Sequence, residues 1–273
     1  MNQQPKNSPG SERPSVRSRR NVVLPHDDEV ASQPPQSGVV VARAQRLLRF
    51  VMRHVWSLSL SGLSGLSFLR LATEIRENEL GAFDGAVAGW LEAGRGHWDL
   101  PMLALTRLGE FRSLAAICGL ATAFLLWFGK RREGLFLIAC GSGAALGGAA
   151  LKLAFHRGRP NLTHPYLVTL PHSFSFPSGH ALGSMVVVGS LVVVVCALRV
   201  AKGWRFLAIL LALPVIFGVA ASRVYLGVHY ASDVLGGQLA GAAWVAAMTG
   251  WFFPRLLPAE QATVEPPGPA SSQ

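Results

Sequence analysis

The residues best suited to chemistry in this sequence are a histidine and an aspartate four positions apart. His229 and Asp233 stand at i and i+4, so on a helix they lie one above the other on the same face. The carboxylate can accept a hydrogen bond from one ring nitrogen and leave the other nitrogen as a nucleophile. His180 opens a long apolar run, where it can protonate a departing oxygen. The pattern predicts nucleophilic catalysis assisted by a general acid.

Three cations lie at the ends of other apolar runs, at Lys152, Arg159 and Arg223. Such residues neutralise phosphoryl groups, and arginine offers a planar fork to two oxygens. Ser178 and Gly179 begin an apolar helix, where free N–H groups and the positive end of the helix dipole favour an anion. These parts together suit phosphoryl transfer through a phosphohistidine, with charge stabilisation as the main source of rate. That chemistry requires no metal ion.

Taken one at a time, these residues have plainer interpretations. A single cation there would more often be a helix-end residue whose charge reaches the membrane surface, and His180 or Asp233 alone would be an ordinary residue of a first helical turn. Their joint occurrence favours function, because anchoring does not explain why all of them should converge. His156, His164 and His172 raise the question of a zinc site, but their spacing is not a usual ligand spacing, so solvated loop positions are favoured.

Four more polar residues stand beside these motifs. Arg157 and Asn161 flank the Arg159 motif and are candidates for substrate contact. Tyr225 and Tyr230 have two interpretations, as residues that line the site or as anchors at the membrane interface, and anchors are favoured.

Three patterns carry a resemblance to a known family. Residues 152–160 have the pattern KxxxxxxRP, residues 177–180 are PSGH, and residues 222–233 have the pattern SRxxxxxHxxxD. In order and spacing they resemble the three-part signature of the type 2 phosphatidic acid phosphatase (PAP2) superfamily. The resemblance covers roughly residues 82–253.

The resemblance implies a role for each motif residue. His229 would attack phosphorus, Asp233 would polarise it, and His180 would be the acid for the leaving group. The residues implied to hold the phosphate oxygens are Lys152, Arg159, Ser178, Gly179 and Arg223. The resemblance also implies an all-helical core and metal-independent hydrolysis of lipid phosphates or diphosphates without a cofactor. Vanadium haloperoxidases share this constellation, but they are soluble, and the apolar segments of this chain disfavour that branch.

The composition indicates a membrane environment. The chain has 273 residues, of which 50% are hydrophobic and 15% charged, and a soluble domain ordinarily carries more charge. The formal net charge is +10, and much of the Lys and Arg lies in the N-terminal tail and in short connectors between apolar runs. The positive-inside bias of membrane proteins explains that placement, so nucleic-acid binding is not needed to account for it. The three cysteines stand in separate apolar runs and predict neither disulfides nor a metal site. We expect an integral membrane protein that binds no nucleic acid.

About six transmembrane helices are predicted, so the expected fold class is an all-α, polytopic membrane helical bundle. The predicted spans are residues 55–73, 114–129, 134–155, 181–198, 204–221 and 234–253. The first is the weakest, because five serines interrupt it. Residues 82–108 combine a helical rhythm with tryptophans and charges, which predicts an interfacial segment outside the membrane.

The basic connectors predict the orientation. With six spans, both termini and the basic stretches 130–132 and 199–205 fall on the cytoplasmic side. The three motifs then all fall together on the outer side. The short loops suggest a bacterial inner membrane with the active site facing the periplasm or the outside.

The expected domain organisation is one membrane domain between two tails. Residues 1–38 and 258–273 are rich in Pro and Ser and are predicted to be disordered, flanking a PAP2-like domain at 39–257. The predicted function is release of inorganic phosphate from a lipid phosphate or isoprenyl diphosphate, such as undecaprenyl diphosphate, phosphatidylglycerol phosphate or phosphatidate. The other expected partners are membrane lipids. Two alternatives stay open: phosphotransfer to a sugar or lipid acceptor, and a non-catalytic lipid or anion transporter.

Overall fold

The computed structural model describes residues 36–93, 96–161 and 172–254, and every regular element in these ranges is an α-helix. In chain order the helices are α1 (Gln36–Arg76), α2 (Gly81–Glu92), α3 (Asp99–Leu108), α4 (Phe111–Trp127), α5 (Arg131–Phe155), α6 (Gly179–Ala197), α7 (Lys202–Tyr225) and α8 (Ala231–Phe252). The chain divides into two compact units, 1–45 and 46–273, and all contacts given below lie within the second. The predicted tails lie outside the described residues, except that residues 36–38 belong to α1.

The predicted all-helical membrane bundle is confirmed. Each expected span corresponds to one helix, namely α1 and α4 to α8, with small differences at the ends apart from the earlier start of α1. Three described helices, α5, α6 and α7, are long and apolar enough to cross a membrane alone, and α3 with α4 makes a fourth if the bent pair is one span. Serines in α1 and Gly, Gln and Asp in α8 lower the hydropathy of those two helices, which remain predicted spans.

Helix α8 packs against α6, α5, α7 and α2. Its glycines permit the close approach of α6: a Cβ atom on Gly237 would lie 2.6 Å from the carbonyl oxygen of Ser178 and 3.0 Å from the amide nitrogen of Leu182. A methyl group has no room at those distances. The absence of a side chain at Gly237 therefore sets how near the start of α6 lies to α8.

The outer surface of the bundle is apolar. Large side chains such as Leu120, Phe124, Leu146, Phe206 and Leu211 are more than half exposed. Water would make such a surface costly, whereas lipid chains solvate it. The outer residues therefore suit a bilayer, and the polar residues concentrate at one end of the helices.

Residues 82–108 differ in detail from the single interfacial segment expected from the sequence. They form most of α2 and all of α3, and both helices pack against α7. Helix α3 then meets α4 at an angle of 51°. A Cβ atom on Gly109, at this break, would lie 2.4 Å from Val219 and 3.1 Å from the His180 ring. The bend therefore brings main chain directly against a predicted catalytic side chain.

Candidate active site

The eight residues expected to form the site converge at one end of the bundle. They come from the last turn of α5, the segment after it, the start of α6, the last turn of α7, the turn before α8, and the first turn of α8. Hydrogen bonds tie these pieces together: the Ser178 amide donates to the Asp233 carbonyl at 2.9 Å, and Arg159 donates to the Val228 carbonyl at 2.8 Å. Sequence positions up to about eighty residues apart thus meet at one end of the bundle.

His229 and Asp233 form the expected pair, but not on one helix face, because His229 lies in the turn before α8 and Asp233 in its first turn. The Nδ1 atom of His229 lies 3.4 Å from the Oδ2 atom of Asp233, and both side chains are buried. The local cause is the start of α8, where the Asp233 carboxylate also accepts the Tyr230 amide at 3.0 Å in a capping box. Because an ionised carboxylate only accepts, the ring proton belongs on Nδ1 and the lone pair on Nε2.

Ser175 completes this arrangement and was missed from the sequence. Its hydroxyl donates to Oδ2 of Asp233 and lies 3.2 Å from Nδ1 of His229. Ser175 is fully buried. It stands two residues before the PSGH motif, and nothing in its local sequence separates it from other serines of that loop.

The free side of the His229 ring faces a cation. The Nη1 atom of Arg159 lies 3.2 Å from Nε2 of His229. Main-chain carbonyls hold the guanidinium in place, with Nε donating to Ser173 at 2.8 Å and Nη1 to Val228 at 2.8 Å. The position that an attacked phosphorus would occupy therefore lies beside a fixed positive charge.

The other cations extend this positive region. Lys152 donates to the Phe174 carbonyl at 2.5 Å, and its Cε atom lies 3.9 Å from where a Cβ of Gly179 would be. Arg223 donates from Nη1 to the hydroxyl of Thr106 on α3, and both residues are buried. Thr106 is a second contact that sequence inspection missed, since it lies 117 positions away.

Two buried polar atoms in the site have no hydrogen-bond partner among the described residues. They are the hydroxyl oxygen of Ser178, at the N-cap of α6, and Nε of Arg223. Buried polar atoms are nearly always paired, so an unpaired one requires an explanation. A phosphate oxygen, which accepts from both N–H and O–H donors, would satisfy each of them.

His180 lies at the second position of α6 and is half-buried. Its ring packs near Gly109 at the α3–α4 bend and interacts electrostatically with Arg223 and His229. It therefore belongs to the same charged cluster as the nucleophile candidate. Its role as the acid for the leaving group stays a prediction.

Burial sets the ionisation of the nucleophile candidate. Burial lowers the pKa of His229 to about 4, although the hydrogen bond and the charge of Asp233 oppose the change. Burial also lowers the pKa of Arg159, although the negative charge of Asp233 raises it. At neutral pH the imidazole is therefore uncharged, and Nε2 keeps the lone pair that attack on phosphorus requires.

Arg157, considered from the sequence as a substrate contact, is occupied by protein groups. Its Nη1 donates to Oδ1 of Asp233 at 2.6 Å, and its Nη2 donates to Oδ2 of Asp84 at 3.0 Å. Its guanidinium also lies over the Tyr230 ring, 4.4 Å from the centroid. Tyr225 is buried and donates to Asp99 at 2.5 Å. The prediction of an interfacial anchor is therefore wrong for Tyr225, whereas Tyr230 lines a cavity with His229, which was the other interpretation.

The remaining histidines of the sequence do not join this cluster in the described residues. His156 ends α5 in the left-handed conformation and packs edge-on against Phe174, with the ring centroids 4.5 Å apart. His172 is exposed, and His164 lies outside the described ranges. Within the described parts of the chain, no three His, Cys, Asp or Glu side chains are grouped as metal ligands would be.

A cavity of about 470 Å³ has His229 in its wall. Its wall includes Asp84, Arg157, Asn161 and Tyr230, together with apolar residues of α2. Asn161 therefore lines a space next to the nucleophile candidate.

Comparison with known proteins agrees with this geometry. The family model of the PAP2 superfamily matches residues 132–256, which include every candidate site residue. A curated relative, phosphatidylglycerophosphatase B of Bacillus subtilis (strain 168), is 32% identical over 181 residues, which are 63% of this chain and 84% of the relative. The chain belongs to the PAP2 superfamily.

A solved member of the superfamily has the same architecture. The crystal structure of a transmembrane PAP2 type phosphatidylglycerolphosphate phosphatase from Bacillus subtilis covers 70% of this chain, and the match takes in 95% of that chain. The two are 27% identical, with a TM-score of 0.62. This PAP2 protein is therefore an integral membrane enzyme of the lipid phosphate phosphatase class.

Proposed function

We propose that this PAP2 enzyme hydrolyses a lipid phosphate through a phosphohistidine at His229. The Nε2 lone pair forms a bond to phosphorus while the bond from phosphorus to the lipid oxygen breaks, and His180 gives its proton to that oxygen. Water then attacks the phosphohistidine, His180 takes a proton from it, and the P–N bond breaks. The products are the dephosphorylated lipid and inorganic phosphate.

The placement of His229 is the observation that carries the proposal. One ring nitrogen is held by Asp233 at 3.4 Å, and the other faces the guanidinium of Arg159 at 3.2 Å. A non-catalytic transporter of lipids or anions would need the cations but not a buried, oriented and uncharged imidazole. The pair therefore favours catalysis over transport.

The proposed phosphate cradle lies at the same end of the bundle as His229 and has five members: Lys152, Arg159, Ser178, Gly179 and Arg223. Ser178 and Arg223 each have a buried donor that lacks a partner among the described residues. Developing charge on the transferred phosphoryl group would be stabilised by such fixed donors, which need no rearrangement during the reaction. The cradle supplies the charge stabilisation, so the proposed reaction uses no metal ion or cofactor.

Phosphatidylglycerol phosphate is the proposed substrate. The support is the name of the curated relative and that of the solved structure. The match includes 84% of the relative and 95% of the solved chain. Isoprenyl diphosphates and phosphatidate present the same phosphoryl group to the cradle, and they are the competing substrates of the test. Phosphotransfer to a sugar or lipid acceptor would use the same phosphohistidine.

The site is proposed to face away from the cytoplasm, in the inner membrane of a bacterium. Basic residues concentrate in the 130–132 and 199–205 connectors, at the helix ends opposite the site, and such connectors stay cytoplasmic. Both termini would then be cytoplasmic, as tails of a membrane domain at 39–257. The lipid chain would remain in the bilayer while its head group enters the pocket.

The test is a phosphate-release panel on purified protein in detergent micelles. The panel contains phosphatidylglycerol phosphate, phosphatidate and undecaprenyl diphosphate, with His229→Ala as the inactive control. We expect the highest kcat/KM on phosphatidylglycerol phosphate, with phosphate released equal to lipid consumed. Faster turnover of another lipid would overturn the substrate assignment, and lipid loss without phosphate release in the presence of glycerol or a sugar would indicate phosphotransfer.

A further inference from the structure

Arg157, whose side chain is 20% exposed, joins two buried carboxylates next to the His229–Asp233 pair. Arg157 donates from Nη1 to Oδ1 of Asp233 at 2.6 Å and from Nη2 to Oδ2 of Asp84 at 3.0 Å. Asp84 is 5% exposed and Asp233 is fully buried. An arginine fork between carboxylates is among the strongest side-chain contacts in proteins because both bonds are charge-assisted.

Asp84 also anchors the start of α8. Its Oδ1 accepts the main-chain amide of Ser232 at 2.8 Å, and its Oδ2 accepts the Ser232 hydroxyl at 2.7 Å. Asp84 stands in the first turn of α2, 148 positions before Ser232 and outside the stretch that matches the family model. A single carboxylate from α2 therefore fixes both the arginine and the first turn on which Asp233 is carried.

The two oxygens of Asp233 have separate duties in this arrangement. Oδ1 is bound by Arg157, while Oδ2 receives Ser175 and the Tyr230 amide and faces Nδ1 of His229. Without Arg157 the carboxylate could rotate about its Cβ–Cγ bond, since nothing else among the described contacts holds Oδ1. A carboxylate that rotates would no longer hold the imidazole of His229 in one orientation.

We propose that Asp84 and Arg157 are positioning residues for His229, acting through Asp233. The inference rests on the proposed role of His229 as the nucleophile. Neither residue touches the phosphate cradle, because the polar contacts of Arg157 end on the two aspartates and Ser232, and those of Asp84 end on Arg157 and Ser232. Their loss should therefore slow chemistry while leaving phosphate binding nearly intact.

Because Arg157 and Asp84 carry opposite charges, removing one or the other should shift the pKa of His229 in opposite directions. Arg157→Gln removes a positive charge next to Asp233, so the carboxylate stabilises a protonated His229 more strongly and the pKa of the ring rises. Asp84→Asn removes a negative charge that partly neutralises Arg157. The positive charge of Arg157 then disfavours a protonated His229 more strongly, so the pKa of the ring falls. The other titratable or charged groups that face His229 are unchanged in both variants: Arg159, His180, Arg223 and Asp233.

The experiment measures kcat, KM and the pH dependence of kcat/KM on a lipid phosphate for the full-length protein in detergent. The variants are Asp84→Asn, Arg157→Gln and Arg157→Lys, each also made in an Asp233→Asn background. Glu79→Gln, which neutralises an exposed carboxylate five positions before Asp84, is the matched control. Wild type and His229→Ala are measured in parallel, and thermal melting checks folding.

For Asp84→Asn and Arg157→Gln we expect kcat to fall about 10- to 100-fold, the range found for outer partners of metal-bound histidines. KM should change by less than about threefold, Arg157→Lys should recover part of the loss, and the acid limb of the pH profile should move in opposite directions in the two variants. In the Asp233→Asn background the same substitutions should lower kcat by less than a further factor of about three, because Asp233, through which they act, is already replaced.

Wild-type kcat in both variants, or a loss confined to KM, would overturn the positioning role. The role would also be overturned if the fold-loss in kcat of each variant multiplied in full with the fold-loss of Asp233→Asn in the double variant. If Asp84→Asn does not fold, the comparison of Arg157→Gln with Arg157→Lys decides alone. Turnover by His229→Ala would refute the proposed function itself, whereas an inactive His229→Ala beside fully active Asp84 and Arg157 variants would refute only this inference.

Discussion

The Nε2 atom of His229 lies 3.2 Å from a guanidinium nitrogen of Arg159. The opposite ring nitrogen lies 3.4 Å from the Asp233 carboxylate. One imidazole is thus placed between a negative group that orients it and a positive group that can hold the phosphate it attacks. Both neighbours are fixed by further hydrogen bonds, so the ring does not need to reorganise before reaction.

The ionisation of His229 predicts how stability depends on pH. Burial places its pKa in the folded protein at about 4, below the ordinary value of about 6.5 expected when unfolded. As the pH falls, His229 is protonated in the unfolded state before it is protonated in the folded state. Its contribution to the free energy of unfolding is therefore fully present above pH 6.5 and is lost as the pH falls toward 4. The loss should be on the order of 3 kcal/mol.

Melting curves in detergent between pH 7.5 and 4.5 check this, with His229→Gln as the control that lacks the titrating ring. The wild type should lose more stability than the variant across that range. Parallel curves for the two proteins would show that His229 does not titrate with a depressed pKa.

Removing the Ser175 hydroxyl should reduce kcat about tenfold, which corresponds to about 1.4 kcal/mol and is typical of a hydrogen bond to a charged group. The loss stays moderate because Asp233 keeps Arg157 and the Tyr230 amide. Phosphate release by Ser175→Ala measures it. The matched control is Ser142→Ala, whose hydroxyl bonds only to carbonyls of its own helix. Equal activity of the two variants would deny Ser175 a part in the site.

Replacing Gly237 by alanine should destabilise the protein by about 1 to 3 kcal/mol, the usual range for overpacking. The added methyl would meet main-chain atoms of α6 at 2.6 and 3.0 Å, and main chain cannot move aside as a flexible side chain can. The melting temperature in detergent measures the effect. Gly189→Ala is the control, because nothing lies within 4 Å of its added Cβ. An unchanged melting temperature in Gly237→Ala would contradict the close α6–α8 contact.

Two inhibitors distinguish a metal-independent mechanism from a metal-dependent one. Vanadate adopts the five-coordinate geometry of the phosphoryl-transfer transition state, so the cradle around His229 should bind it and lose activity. EDTA should leave activity unchanged, because the proposed charge stabilisation comes from Lys152, Arg159 and Arg223. Phosphate-release assays with each compound check both points. Loss of activity on chelation, restored by a divalent ion, would contradict the proposal.

Much of the candidate site could be predicted from the sequence because its residues stand in local patterns. The i, i+4 spacing of His229 and Asp233 indicated the pair, although His229 precedes α8 instead of lying on its face, and PSGH indicated the start of α6. The basic connectors indicated which helix ends share a side. Local spacing and charge were sufficient for these features.

The supporting residues could not be predicted in the same way. Asp84 meets Ser232 across 148 positions, and Thr106 meets Arg223 across 117. Pairings of this kind depend on how α2 and α3 pack against α7 and α8, and one carboxylate or hydroxyl in a segment of mixed polarity carries no sign of its partner. The predicted end of the α7 span at residue 221 was early for a related reason: Arg223 is polar, yet it is buried within the helix.

The most direct test of the account is chemical trapping of the phosphorylated enzyme. Purified protein is mixed with phosphatidylglycerol phosphate, quenched in alkali to preserve a phosphoramidate bond, digested, and analysed by mass spectrometry beside a folded His229→Ala variant. We expect an acid-labile phosphate on His229 in the wild type, with neither the adduct nor phosphate release in the variant. Sustained turnover by folded His229→Ala would contradict this expectation.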